Sequence, residues 1–149
     1  MRHYTKNRTS MNTQKYVMHN PVQLENRSWP SNVLTEAPYW CSVDLRDGNQ
    51  ALIEPMDVEQ KIRAFNLFVE IGIKEIEVGF PAASSVDYEF IRHIITQNLV
   101  PDDVIIQVCS QARHEQIEKS IESLEGATRA TYHVYNPTSI AQRLSLIHI

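Results

Sequence analysis

The chain has 149 residues, 42% of them apolar and 21% charged, and its 14 basic and 18 acidic side chains give a formal net charge of −4. That length suits one domain or part of a larger one, and the composition is that of a globular protein rather than a disordered chain. The acidic balance argues against a nucleic-acid partner. No apolar run nears the roughly 18 residues of a membrane span, so no membrane association is expected. The two cysteines, Cys41 and Cys109, without any Cys-x-x-Cys, cannot make a disulfide framework and do not suggest a zinc or redox site of that spacing. The expected class is a reduced, intracellular, soluble domain with a cytoplasmic location.

Residues 1–38 stand apart. Arg2, Lys6, Arg8 and Lys15 precede the first acidic residue, Glu25, in a stretch rich in Thr, Asn and Ser. That pattern makes mitochondrial targeting the minor alternative, but Asn7, Asn12, Asn20 and Pro21 oppose the amphipathic helix that targeting needs. A flexible arm is expected over residues 1–20. Residues 21–38, with Pro21, Pro30 and Pro38, read as an extended lead-in.

From Tyr39 the pattern changes. Trp40 to Leu45 reads as a first strand, and Arg46-Asp47-Gly48-Asn49-Gln50 follows it with turn chemistry. Asp57 caps a helix with Gln60 in a capping-box position; Val58, Ile62, Phe65 and Val69 recur at helical spacing, and Gly72 stops the run. Ile73 to Gly79 reads as a second strand. Ser84 or Ser85 opens a second helix with Val86, Phe90, Ile94 and Ile95 on one face, and Pro101 lies beyond its end. Val104 to Val108 is a third strand. The helix after it carries Ile117, Ile121 and Leu124 as its stripe and can pair Glu115 with Lys119, and Gly126 closes it. Ala127 to Val134 makes a fourth strand.

This βαβαβαβ order favours parallel strands joined by crossovers. A doubly wound nucleotide-binding sheet would carry a Gly-x-Gly-x-x-Gly turn, which is absent here. A (β/α)8 barrel needs about 250 residues, so four parallel strands with three helices would supply its N-terminal half. Such a half leaves two raw sheet edges and an uncovered interior, which implies an incomplete chain or a partner.

In a parallel barrel, function sits where the strands end, and polar side chains collect there in this sequence. Arg46 and Asp47 close the first strand, and Glu77 lies between Ile76 and Val78 in the second. Gln107 is in the third with Arg113 after it, and His133 is late in the fourth, followed by Tyr135 and Asn136. A buried charge needs a partner, so an Arg46–Glu77 pair is expected, leaving Asp47 as a hard oxygen donor for a divalent metal. Taken singly, each group has a plainer reading: a structural ion pair, an Asp-Gly turn, a hydrogen-bonded core histidine. His3, His19, His93, His114 and His148 read as solvated, and Cys41 and Cys109 as small packing residues.

The strings themselves are informative. Asp44–Gln50, Asp-Leu-Arg-Asp-Gly-Asn-Gln, resembles the first-strand signature of the metal-dependent acyl-CoA condensing enzymes and lyases built on a TIM barrel. The run Glu75–Ser84, with Trp29-Pro30-Ser31, Trp40–Asp44 and His133–Ser139, is similar to the longer-chain subgroup of 2-isopropylmalate synthases within that family. The likeness runs from about Lys15 to Arg143.

The resemblance implies a metal ligand at Asp47 for a divalent cation (Mg, Mn or Zn). It implies catalytic roles for Arg46, over the substrate oxygen, and for Glu77, which would hold Arg46. Substrate contacts would come from Arg46, His133 and Gln50. It further implies acetyl-CoA and 2-oxoisovalerate as substrates, condensation and thioester hydrolysis on the route to leucine, and a homodimer. A Glu77 paired to Arg46 would be a poor general base, because the pairing lowers its basicity. The family completes its metal site with a His-x-His from a later strand, which this chain lacks, so the chain alone is expected to be inactive and prone to aggregate. Residues 39–143 are therefore expected to be a partial catalytic barrel, and residues 144–149 a tail outside the family pattern from truncation or a frame break. Two alternatives remain: a homocitrate or citramalate synthase-like sibling using another 2-oxo acid, and a non-catalytic half-barrel acting as an interaction module.

Overall fold

Side chains alternate across a strand, so a strand that is apolar on one face and polar on the other must sit between two different environments. The computed structural model shows this for a four-stranded parallel sheet in the order β1-β2-β3-β4. The structure describes residues 38–148 continuously, with side chains to 144, and positions 13–17, 20, 22, 24–27, 29, 32 and 36. The elements are β1 (Cys41–Ser42), α1 (Val58–Ile71), β2 (Glu75–Gly79), α2 (Ser85–Thr96), β3 (Ile105–Gln111), α3 (His114–Ser123), β4 (Ala130–Tyr135) and α4 (Ile140–His148).

The chain divides into two units, Met1–Ala37 and Pro38–Ile149. In the first, Thr13–Lys15 forms a single 3₁₀ turn, the Lys15 ammonium lies 5.0 Å from the Tyr16 ring centre, and the Asn32 amide bonds the Trp29 carbonyl. Residues 1–12, 18 and 19 of the expected arm, the prolines Pro21 and Pro30 of the lead-in, and the tail's last residue, Ile149, lie outside the described residues.

The second unit is the one the sequence pattern anticipates: parallel strands alternating with helices, as in the first four βα units of a (β/α)8 barrel. One face of the sheet is apolar. Ile76, Val78, Ile106 and Val108 are buried there against Phe65 of α1 and Phe90, Ile91 and Ile94 of α2. The two phenylalanine rings meet edge to face at 6.2 Å, a favoured aromatic geometry. The opposite face carries Glu77, Gln107, Cys109 and His133, and Thr131 there donates a hydrogen bond to Glu75 at 2.9 Å.

Helix boundaries follow the caps. Asp57 accepts from the Gln60 amide at 2.8 Å while Gln60 accepts from the Asp57 amide at 3.0 Å, closing the capping box ahead of α1. Gly72 ends α1 at φ 97, where a side chain would be strained. Ser84, rather than Ser85, caps α2 by accepting from the Asp87 amide.

Several expectations are corrected. The first strand stops at Ser42, and Asp44–Gly48 winds into one π-helical turn in which the amides of Arg46, Asp47 and Gly48 all converge on the Val43 carbonyl. The Ser42 hydroxyl, bonded to the Asp44 carboxylate at 2.6 Å, starts that turn by offering the backbone a local alternative to the sheet ladder. On α3 the fully buried positions are Ser120 and Ser123, two small residues that let the helix approach its neighbours closely; of the expected stripe, Leu124 packs against the core and Ile117 is half-buried, whereas Ile121 is 57% exposed. Lys119 pairs with Glu122 at 3.0 Å, not with Glu115, because Tyr88 of α2 donates to the same Glu122 and lies under the ammonium. A fourth helix, α4, joins the expected three and runs without a break across residue 143.

A buried ion pair that no local sequence pattern signals joins α1 to α2. Lys61 of α1 is fully buried, and its ammonium bonds Asp87 of α2 at 2.6 Å and the Leu45 carbonyl at 2.9 Å. The other oxygen of Asp87 accepts from the Phe80 amide at 2.8 Å. Gly79 is required at this crossing: a Cβ there would stand 2.7 Å from the Asp87 carboxylate. Removing one partner of such a pair strands a charge in the interior. Asp87→Asn is expected to lower unfolding free energy by about 3 kcal/mol, read as a reduced urea midpoint at unchanged slope; a loss under about 1 kcal/mol would show that the pair does not hold the fold.

Candidate functional site

The polar face of the sheet converges on one carboxylate. Glu77 sits at an irregularity in the β2–β3 pairing, where the register shifts between Glu77 and Gly79. Bulges of this kind re-aim a side chain, and they recur beside active sites. The Glu77 side chain is 1% exposed, yet three groups donate to it. Arg46 reaches one oxygen through Nε from the turn after β1; Gln107 of β3 and, at 3.0 Å, His133 Nδ1 of β4 reach the other. Burial pushes the Glu77 carboxyl up, but the bonds from His133, Arg46 and Gln107, with the charge of Arg46, outweigh it and leave it below the usual glutamate range. Burial likewise opposes the charge on Arg46, and Glu77 and Asp47 restore it.

The expected Arg46–Glu77 pair is therefore present, and it brings Asp47 with it: the Asp47 carboxylate bonds the far end of the same guanidinium. Asp47 is 55% exposed, so it faces the mouth rather than the interior. Gln50 is exposed and lines a neighbouring cleft of about 370 Å³ with Arg46, Asn49, Pro55 and Phe80. Arg46 thus borders both the Glu77 cluster and that cleft. His133 keeps its ring 42% exposed, edge to face with Tyr135 at 6.4 Å. Arg113 is the N-cap residue of α3, and His93 and His114 are exposed on helices, as expected.

Cys109 is buried, as its expected role as packing requires, and it also stands beside the Glu77 hub. It lies directly opposite His133 in the β3–β4 register, and the ligand atoms of Glu77, Cys109 and His133 all fall within 4.8 Å of one another. These three form a possible metal-binding cluster, and among the described residues no other group of His, Cys, Asp and Glu has that spacing. Alternation along β3 (Gln107, Cys109) carried this signal: both side chains must share the face of Glu77. Burial, then the negative charge of Glu77, pushes the Cys109 thiol up, and burial does the same for Cys41.

Comparison with known proteins agrees with this architecture. The model of the HMGL-like family matches residues 37–148. The chain belongs to the HMGL-like family. It is also similar to proteins named 2-isopropylmalate synthase: 58% identical over 125 residues to that of Thermobifida fusca, covering 84% of this chain and 22% of the relative. It is 53% identical over 131 residues to that of Rhodospirillum rubrum (88% and 24%), and 54% over 129 residues to that of Clostridium acetobutylicum (87% and 23%). The chain thus spans about a fifth to a quarter of the length of these curated relatives. Its parallel sheet and helices match the N-terminal half of an HMGL-like barrel.

The depressed Glu77 carboxyl fixes a pH signature. A carboxylate held below its unfolded value stabilises the fold above about pH 4.3, and that contribution fades as pH falls through the lower folded value. Glu77→Gln is expected to cost about 3 kcal/mol at pH 7, because Arg46 loses its buried partner. Urea titrations from pH 6 to about pH 3 should show the gap between the unaltered chain and Glu77→Gln narrowing; a constant gap would mean that Glu77 is not held ionised by its partners.

Proposed function

We propose that this segment forms part of the active site of a 2-isopropylmalate synthase, an acyltransferase that joins the methyl carbon of acetyl-CoA to the keto carbon of 2-oxoisovalerate and hydrolyses the thioester, on the route to leucine. The observation that carries the reading is the Glu77 hub, which holds Arg46 in a fixed orientation at the strand-end mouth, beside a half-exposed carboxylate. The names of the relatives point to the same reaction.

The donor chemistry at the mouth suits a divalent cation. Asp47 offers a hard oxygen there, with one face of its carboxylate steadied by Arg46, and would be one ligand of the ion. When bound, the ion supplies Lewis acidity at the keto carbonyl of the 2-oxo acid. Arg46 places fixed positive charge where that oxygen gains negative charge, at no cost of reorganisation, because Glu77 already orients the guanidinium. Glu77 itself is held ionised and fully engaged, so its part is to position Arg46 rather than to move a proton. His133, open on one edge, lines the 2-oxo acid pocket, and Gln50 borders the adjoining cleft. In the same reading the complete enzyme is a cytoplasmic homodimer; two free thiols suit a reducing compartment, and no described helix is long and apolar enough to cross a membrane.

The test is a chimera in which this chain replaces the matching stretch of the Thermobifida fusca relative. Thiol release from acetyl-CoA should depend on 2-oxoisovalerate, with 2-oxoglutarate and pyruvate turned over far more slowly; a preference for either would assign the segment to a sibling enzyme. Arg46→Lys should lower kcat by about 10²–10³ with KM little changed, and Asp47→Ala should abolish turnover. The chain alone, with Asp47 as its one family-type ligand, should release no thiol. Full activity in Asp47→Ala would overturn the reading.

A further inference from the structure

The Cys109 thiol, on the inner face of the cluster, has no part in the proposed reaction. We propose that Glu77, Cys109 and His133 form a binding site for a soft divalent cation of the zinc type, separate from the hard oxygen ligand Asp47. Three neighbouring parallel strands each contribute one ligand to a single face, with Cys109 and His133 register partners and Glu77 beside them. The thiolate, imidazole and carboxylate donors are those that tetrahedral zinc takes, whereas magnesium favours oxygen alone.

The geometry is close to what is needed. Zinc bonds of about 2.0–2.3 Å place tetrahedral ligand atoms roughly 3.3–3.7 Å apart. The three donor atoms here lie within 4.8 Å of one another, so side-chain rotations that draw them in by about 1 Å suffice. Glu77 and Cys109 are buried on the strands, while His133 stands at the opening, giving an ion an entry path and a solvent-facing fourth position. Arg46 occupies one oxygen of Glu77, which leaves the other, now shared by Gln107 and His133, for the ion. Coordination exchanges the His133–Glu77 hydrogen bond for two metal bonds and sends the thiol proton to solvent. Tyr135, packed against the His133 ring, limits its reorientation.

Cobalt(II) is the probe, titrated into the 149-residue chain with its thiols reduced and folding followed by circular dichroism. An ultraviolet thiolate-to-cobalt charge-transfer band should saturate at a single equivalent, be displaced by Zn²⁺ and resist excess Mg²⁺. It should persist in Cys41→Ser and Asp47→Ala and vanish in Cys109→Ser, while His133→Ala should bind at least about tenfold more weakly. No band in the unaltered chain, a band surviving Cys109→Ser, or a band lost in Asp47→Ala would each overturn the proposal. Should Cys109→Ser fail to fold, the half-exposed His133 decides: unchanged cobalt affinity in His133→Ala overturns it equally.

Discussion

A carboxylate removed from water must be met by donors or it drives the structure apart, and Glu77 is such a carboxylate. Its two oxygens are satisfied from three directions: the turn after β1, the first half of β3 and the middle of β4. Those donors share no local sequence, so the hub forms only when β2, β3 and β4 pair in the observed register. A one-residue slip would send Gln107 or His133 to the apolar face and leave the charge unmet. Glu77 thus enforces the register that creates the site, and it orients the guanidinium that the site presents.

The same turn is gripped from behind. Lys61 holds the Leu45 carbonyl while its partner Asp87 holds the amide of Phe80, just past the end of β2. Leu45 precedes Arg46, so the backbone of the turn is fixed by one ion pair on the helix side of the sheet and its side chain by another on the inner side. Leu45 itself is buried in the core, a third anchor. The π-helical winding of Asp44–Gly48 is tolerable because these contacts over-determine it. A turn clamped this way presents the Arg46 guanidinium in one fixed orientation.

The alternation of strands and helices was legible because it rests on local periodicity and caps: Asp57 with Gln60, Gly72 and Ser84 all act as their chemistry dictates. The Arg46–Glu77 pair was legible too, since a glutamate between Ile76 and Val78 has to find a cation. What escaped the sequence depended on distance in space. The winding after Ser42 turns on one hydroxyl–carboxylate bond competing with a sheet ladder. Lys61 reads as solvated on a helical wheel until Asp87, 26 residues on, is known to be there, although its place one turn before the fully buried Phe65 was a clue. Cys109 reads as packing because its partners lie on other strands. The exposure of Ile121 follows from the fit of Ser120 and Ser123, which no periodicity encodes.

Arg46 divides the mouth into two chemical regions. On one side it holds Asp47, an exposed oxygen donor; on the other it holds Glu77, beside sulfur and nitrogen. Its positive charge repels any cation that approaches along the guanidinium. The outer carboxylate, Asp47, is more than half exposed to water. The inner cluster is deeper, with Glu77 and Cys109 out of water and His133 half-exposed at its edge. The two carboxylates thus differ sharply in burial, 55% against 1% exposed, although they share one guanidinium.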